Sequence, residues 1–270
     1  MEKLRIGKIP YLNLFPFFYF LEKIKEPAFE FIEDMPSRLN KKLRAGEIDV
    51  SPSSSIEYLS NQNLYEIIEN HSISSTGPVK SIILFSKRPL RELTNKTLLV
   101  TDQSDTSIIQ LEIIANLFLK LDIKTERSNL SLEQGLREYP AYLLIGDEAM
   151  KNVYLNKKFY IYDLGELWKI HTGLPFVYAL WIIRREAINK KGILINKLKQ
   201  ELDNIKRDFL KTSAQICDLP EISNIIGPEE VLSYWKTLSF DLTEEHKKGL
   251  ELFRHYAMIL NQKRDSLSYP

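Results

Sequence analysis

A single cysteine, Cys217, stands in the whole chain, which excludes an internal disulfide and any zinc cluster built from cysteines. A lone thiol of this kind ordinarily just packs. Charge of one sign is equally scarce. Lys and Arg number 37 against 36 Asp and Glu, so no overall field recruits nucleic acid or an anionic membrane. An anionic ligand would have to be held by local geometry. Long apolar runs are missing too: the longest clean one, Phe176 to Ile183, falls far short of the roughly 20 residues of a membrane span. The stretch Tyr11 to Leu21 behind Lys3 and Arg5 imitates a signal peptide, but Pro10 and Pro16 break the necessary helix and Asn13 interrupts its apolarity. No A-x-A cleavage pattern follows, and a cytoplasmic protein is expected. The phosphate-binding Gly-x4-Gly-Lys pattern is absent. His71 and His171 fall in separate predicted loops, so no metal-ligand cluster is expected. Neither a solenoid repeat nor a low-complexity tract occurs.

What is present is an α/β pattern. At 270 residues the chain exceeds the usual domain of about 100–200 residues, and two domains are expected. Composition, 44% apolar and 27% charged, is that of a globular protein. Leu4 to Ile9 alternates and is stopped by Pro10, which predicts a first strand. Tyr11-Leu12-Asn13 follows it, with Asn13 close to the start of a helix, where it could cap the helix, contact a ligand, or both. A second strand, Phe29 to Ile32, leads to a helix opened by Pro36 and closed by Gly46. The third strand, Ile48 to Val50, is followed by Ser51 to Ser55 as a predicted loop. Its hydroxyls and amides, Ser54 and Ser55 among them, suit an anion or serve as an ordinary helix cap.

The stretch Ser72-Ile73-Ser74-Ser75-Thr76-Gly77-Pro78-Val79-Lys80-Ser81 is a run of small hydroxyls with a Gly-Pro bend, leading into the apolar strand Ile82 to Phe85. Such a lip beside a strand mouth, where the chain crosses between halves, is the expected binding site of an open α/β protein. The expected division is residues 1–86 with 178–270 as domain I and 87–177 as domain II. In the second half Lys96 to Val100 is the predicted first strand. A hydroxyl loop ending in Thr106-Ser107 follows, then a helix from Ile108 to Leu121. Ala141 to Ile145 is a buried strand ending at Gly146-Asp147-Glu148. Asp147 there, a carboxylate at a strand's carboxyl end, can serve as acid, base or cap. Phe176 to Arg184 reads as the strand re-entering domain I, and the remainder is largely helical.

This order resembles the type II periplasmic-binding-protein fold, each domain a mixed sheet flanked by helices with a cleft between. Seven stretches in order are closer still: Tyr11-Leu12-Asn13; Leu43-x2-Gly46-x-Ile48-Asp49-Val50; Ser54 to Tyr58; Gly77-Pro78-Val79-x-Ser81; Thr106-Ser107; Ile145 to Ala149; and Thr172 to Phe176. Together they are similar to the chorismate dehydratases of the futalosine route to menaquinone. The resemblance implies a lyase that converts chorismate to 3-[(1-carboxyvinyl)oxy]benzoate without cofactor or metal. It implies Asn13 and Ser81 at the reacting face, with Ser54, Ser55, Ser74, Gly77, Thr106, Ser107 and Asp147 around the substrate. No partner beyond this small molecule is expected, neither nucleic acid nor membrane, and oligomeric state is left open. Asp105 departs from the small neutral residue expected of that family, and an acid pointing into the site would weaken an anion site there. The alternatives are a solute-binding protein of the same fold and the later 1,4-dihydroxy-6-naphthoate synthase of the same pathway.

Overall fold

The computed structural model describes residues 2–155 and 158–267. In chain order the elements are β1 (Leu4–Lys8), α1 (Phe15–Lys23), β2 (Phe29–Glu33), α2 (Pro36–Ala45), β3 (Val50–Ser54), α3 (Ser55–Ser60), β4 (Tyr65–Ser75) and β5 (Ile82–Ser86). Then follow β6 (Thr97–Thr101), α4 (Asp105–Glu112), β7 (Lys124–Ser128), α5 (Leu132–Glu138), β8 (Ala141–Ile145), α6 (Gly146–Leu155), β9 (Tyr160–Asp163) and α7 (Leu164–Thr172). The chain ends with β10 (Phe176–Arg184), α8 (Arg185–Arg207), α9 (Phe209–Ser213), α10 (Pro220–Ser223), α11 (Pro228–Trp235) and α12 (Glu244–Leu267). Two compact units result: Met1–Ile73 with Tyr178–Leu242, and Ser74–Val177 with Thr243–Pro270.

The first unit is built on the sheet β2-β1-β3-β10-β4. β1 runs parallel to β2 and to β3, and β10 returns antiparallel to β3 with Ala179 opposite Ser54. Proline and glycine bound α2 as the sequence pattern requires: Pro36 opens it, and Gly46 closes it at φ +80°. Its Leu39 and Leu43, one turn apart, are fully buried, each contributing about 1.5–3 kcal/mol. Phe17, Phe209 and Phe240 form an aromatic group whose ring centroids lie 4.5–5.7 Å apart. At the edge of this unit Asp49 is buried and accepts bonds from the Arg5 guanidinium (2.7 Å) and from the Lys191 ammonium (2.6 Å).

The second unit is built on the sheet β7-β6-β8-β5-β9, in which β6 runs parallel to β7 and β8 while β5 is antiparallel to β8 and β9. Three expectations are corrected here. β5 was expected in domain I, yet it pairs on both sides inside the second sheet. The crossing strand is instead β4, whose last residues, Ser72 to Ser75, were expected as part of the lip before β5. All four, Ile73 and three serines, are buried, and a strand buried on both faces need not alternate. The C-terminal helix was also expected in domain I, but α12 belongs to the second unit. There Phe253 stacks edge-on against Phe176 at 5.0 Å, and Tyr256 against Phe118 at 4.9 Å. Gly249 fixes this packing, because a Cβ there would stand 2.1 Å from the Pro175 carbonyl oxygen. That neighbour is backbone and cannot rotate away, so Gly249→Ala is expected to lower the stability of the second unit by about 1–3 kcal/mol, read as an earlier thermal transition.

Candidate active site

Residues that bear chemistry collect at the carboxyl edge of each sheet. In the first unit β1 and β3 both end at one edge, so the loop carrying Asn13 and the pair Ser54-Ser55 lie along it. The chain turns there through bonds from the Leu14 and Phe15 amides to the Tyr11 carbonyl, and the buried indole of Trp235 donates to the Leu12 carbonyl at 2.7 Å. Asn13 does not cap α1. The cap position is Leu14, with no side-chain bond, and the Asn13 Oδ1 is buried without a hydrogen-bond partner among the described residues. An acceptor left unpaired in this way costs about 1–3 kcal/mol.

The serine cluster expected as a loop is corrected: Ser51 to Ser54 are strand β3, and Ser55 is the first residue of α3. The sequence Val-Ser-Pro-Ser-Ser carries turn-forming residues, but its Pro52 and serines are packed between β1 and β10, and tertiary pairing overrides local preference. Ser54 accepts a bond from the Asn40 Nδ2 at 3.0 Å. Its hydroxyl proton is thereby turned away from Asn40 and free to be donated elsewhere. Asn40 was not singled out in the sequence, where it reads as one more polar residue of α2.

In the second unit four chain segments meet at one sheet edge. Ile82 pairs with Ile145 and Ile83 with Asp163, while Val100 pairs with Leu143 on the far side of β8. The start of β5, the ends of β6, β8 and β9, and the residues just beyond them therefore adjoin. Ser81 sits there, buried, and its carbonyl accepts the Gly146 amide at 2.7 Å. Asp147 follows in the first turn of α6. Thr106 and Ser107, both buried, lie in the first turn of α4. That helix is capped by Ser104, whose hydroxyl accepts the Ser107 amide at 3.2 Å and lies 2.9 Å from the Ser107 hydroxyl. Asp105 is exposed and pairs with Arg127 on β7, so its charge is matched by a surface partner. Ser74, next to last in β4, is fully buried, and Gly77 takes φ +111°, a conformation open to glycine and strained for other residues.

Asp163 escaped the sequence reading. It caps α7 through the Gly165 and Glu166 amides, at 2.8 and 3.2 Å, and also accepts the Val79 amide at 3.0 Å and the Lys80 amide at 2.6 Å. Burial pushes its carboxyl above the ordinary range, against the pull of these four amides. Lys80 itself is held at φ +64°, a left-handed backbone costing about 1–2 kcal/mol for a residue with a side chain. The motif Asp163-x-x-Glu166 announces a helix cap, but nothing local announces a bond to residues more than eighty positions earlier.

His71, expected in a loop, lies inside β4, buried with its ring nitrogen 2.9 Å from Asp203. Burial first, and then Lys206, lower its proton affinity. His171 belongs to α7. Among the described residues no three His, Cys, Asp or Glu converge as a metal site, and no helix is long and apolar enough to cross a membrane.

Two α/β units, each with an open mixed sheet and its polar groups along one edge, define a protein of periplasmic-binding-protein-like fold. The alkanesulfonate-binding protein of Xanthomonas axonopodis shares it at a TM-score of 0.64 and 18% identity, over 95% of this chain and 93% of that one. The chain belongs to the menaquinone-biosynthesis family, whose pattern it matches over residues 4–258. It is 28% identical to the chorismate dehydratase of Thermus thermophilus over 263 residues, 92% of this chain and 93% of that protein. With the chorismate dehydratase of Campylobacter jejuni it shares 31% identity over 199 residues, 72% of each.

Proposed function

We propose that this chain is a chorismate dehydratase of the cytoplasm, removing water from chorismate to give 3-[(1-carboxyvinyl)oxy]benzoate. The family and the two relatives support the reaction class. Among the structural observations, the buried and unpaired Asn13 Oδ1 carries the most weight. A buried acceptor oxygen that no group of the described residues satisfies, and that is not used as a helix cap, suits a ligand hydroxyl in this reading.

The chemistry asks for few protein groups. The C3 hydrogen of chorismate is made acidic by conjugation through the ring to its carboxylate. When the C3–H bond breaks, its proton passes to the substrate's own enolpyruvyl carboxylate and its electron pair enters the ring. The C4–O bond then breaks with its electrons on oxygen. The departing hydroxide takes up one proton and leaves as water, and the ring becomes aromatic. What the protein supplies is orientation, which lowers such barriers by roughly 7–11 kcal/mol. In this reading Asn13 and Ser81 hold the departing hydroxyl and the reacting face. Ser54, Ser55, Ser74, Gly77, Thr106 and Ser107 offer hydroxyls and amides to the two carboxylates, a role that suits donors held in fixed positions. Asp147 lies beside the substrate as a structural acid rather than the base.

The pairing of Asp105 with exposed Arg127 yields a negative expectation. Asp105→Ala should leave kcat and KM for chorismate within about twofold, since exposed pairs contribute about 0–1 kcal/mol. The whole reading is tested by incubating the purified chain with chorismate and following aromatic absorbance and mass. Turnover to a product lighter by one water supports it; binding without turnover would make the chain a solute-binding protein and overturn it.

A further inference from the structure

Capping α7 needs only one acceptor. The Gly165 and Glu166 amides both bond to a single oxygen of Asp163, its Oδ1, and a serine would serve such a cap as well. The second oxygen, Oδ2, is given entirely to the Lys80 amide at 2.6 Å, and Oδ1 takes the Val79 amide besides. Half of a partly buried carboxylate is therefore devoted to the two residues that lead into Ser81. Those residues need holding, since Lys80 is left-handed at φ +64° and backbone strain of this kind persists only where surroundings over-determine it. Ser81 is then pinned on its other side by the Gly146 amide.

We infer that Asp163 is a positioning residue for Ser81, its carboxylate holding the Val79–Lys80 backbone in the one conformation that presents Ser81 at the head of β5. The inference rests on the assignment of Ser81 to the reacting face made above. Two variants of the full chain separate it from simple capping. In Asp163→Asn the amide nitrogen replaces Oδ2 and meets the Lys80 N–H donor to donor, while the Oδ1 bonds remain. In Asp163→Ser the short hydroxyl keeps the α7 cap but reaches neither Val79 nor Lys80.

With chorismate as substrate, both variants should lose about tenfold or more in kcat, with KM changed less than about threefold. Amide hydrogen exchange should accelerate at Lys80 in both and at Val79 in the serine variant, with Gly165 and Glu166 still protected. A kcat within twofold of wild type, a change confined to KM, or unaltered exchange at Lys80 would overturn the inference. If one variant fails to fold, the other decides by the same readings. A wild-type chain that leaves chorismate intact would retire the assignment of Ser81. The exchange at Lys80 would still decide whether Asp163 holds that segment.

Discussion

Asn13→Ala is expected to lower kcat on chorismate by about a hundredfold or more while leaving the melting temperature unchanged or slightly raised. Removing one preorganised hydrogen-bonding group at the reacting atoms typically costs a factor of about 100–1,000 in turnover. The stability side follows from the same atom. Its Oδ1 is buried without a partner among the described residues, so truncation removes a penalty and no hydrogen bond of that oxygen. Most buried polar substitutions lower activity and stability together. Here they should separate, and a variant that loses both in proportion would reduce Asn13 to a structural residue. Steady-state kinetics beside a thermal melt reads both quantities.

Asp49→Asn should give the largest loss of stability. The carboxylate is 4% exposed and receives the Arg5 amide at 2.7 Å, the Arg5 guanidinium at 3.2 and 2.7 Å, and the Lys191 ammonium at 2.6 Å. Lys191 sits at the point where α8 departs from helical geometry, so this one acid joins β1 to the kink. Neutralising it leaves two cations without their counter-charge, which costs about 3–5 kcal/mol and shifts the transition of the first unit by roughly 6–15 °C. The pH dependence has a definite sign. Burial works against ionisation of Asp49, but its bonds from Arg5 and Lys191 outweigh it and hold the group below the ordinary value of 3.8. A carboxyl with a depressed folded value contributes its full stability above the unfolded value and loses it as pH falls below. The gap in melting temperature between wild type and variant should therefore be widest near neutrality and narrow below about pH 4. A gap that does not depend on pH would mean that packing, not charge, is what the amide at this position fails to supply.

The parts of this protein legible in its sequence are those whose signals are local. Pro36 and Gly46 bound α2 because proline cannot donate at a helix interior and glycine takes the left-handed exit without the cost a side chain adds. The loop after β1, the hydroxyl turn before α4 and the buried strand β8 follow in the same way from periodicity and turn chemistry. What was misread depended on contacts distant in sequence. Ser51 to Ser54 carry a loop's composition, yet two neighbouring strands enclose them. The helical pattern of α12 does not say on which core the helix packs; Gly249 against Pro175, Phe253 against Phe176 and Tyr256 against Phe118 show that it belongs to the second unit. The capping role of Asn13 was a fair local inference that the structure replaces with an unbonded oxygen. Only the cap at Asp163 is legible locally; its bonds to the Val79 and Lys80 amides, more than eighty positions earlier, are not.

The account stands on chorismate giving its C3 proton to its own side-chain carboxylate, with the C4 hydroxyl leaving as water, while the protein holds it in place. The measurement that bears on this most directly compares the rate of aromatic product formation from chorismate with that from its enolpyruvyl methyl ester, on the same enzyme. Chorismate should be converted and the ester, stripped of its internal base, should not. Conversion of both at similar rates, or of neither, would contradict it.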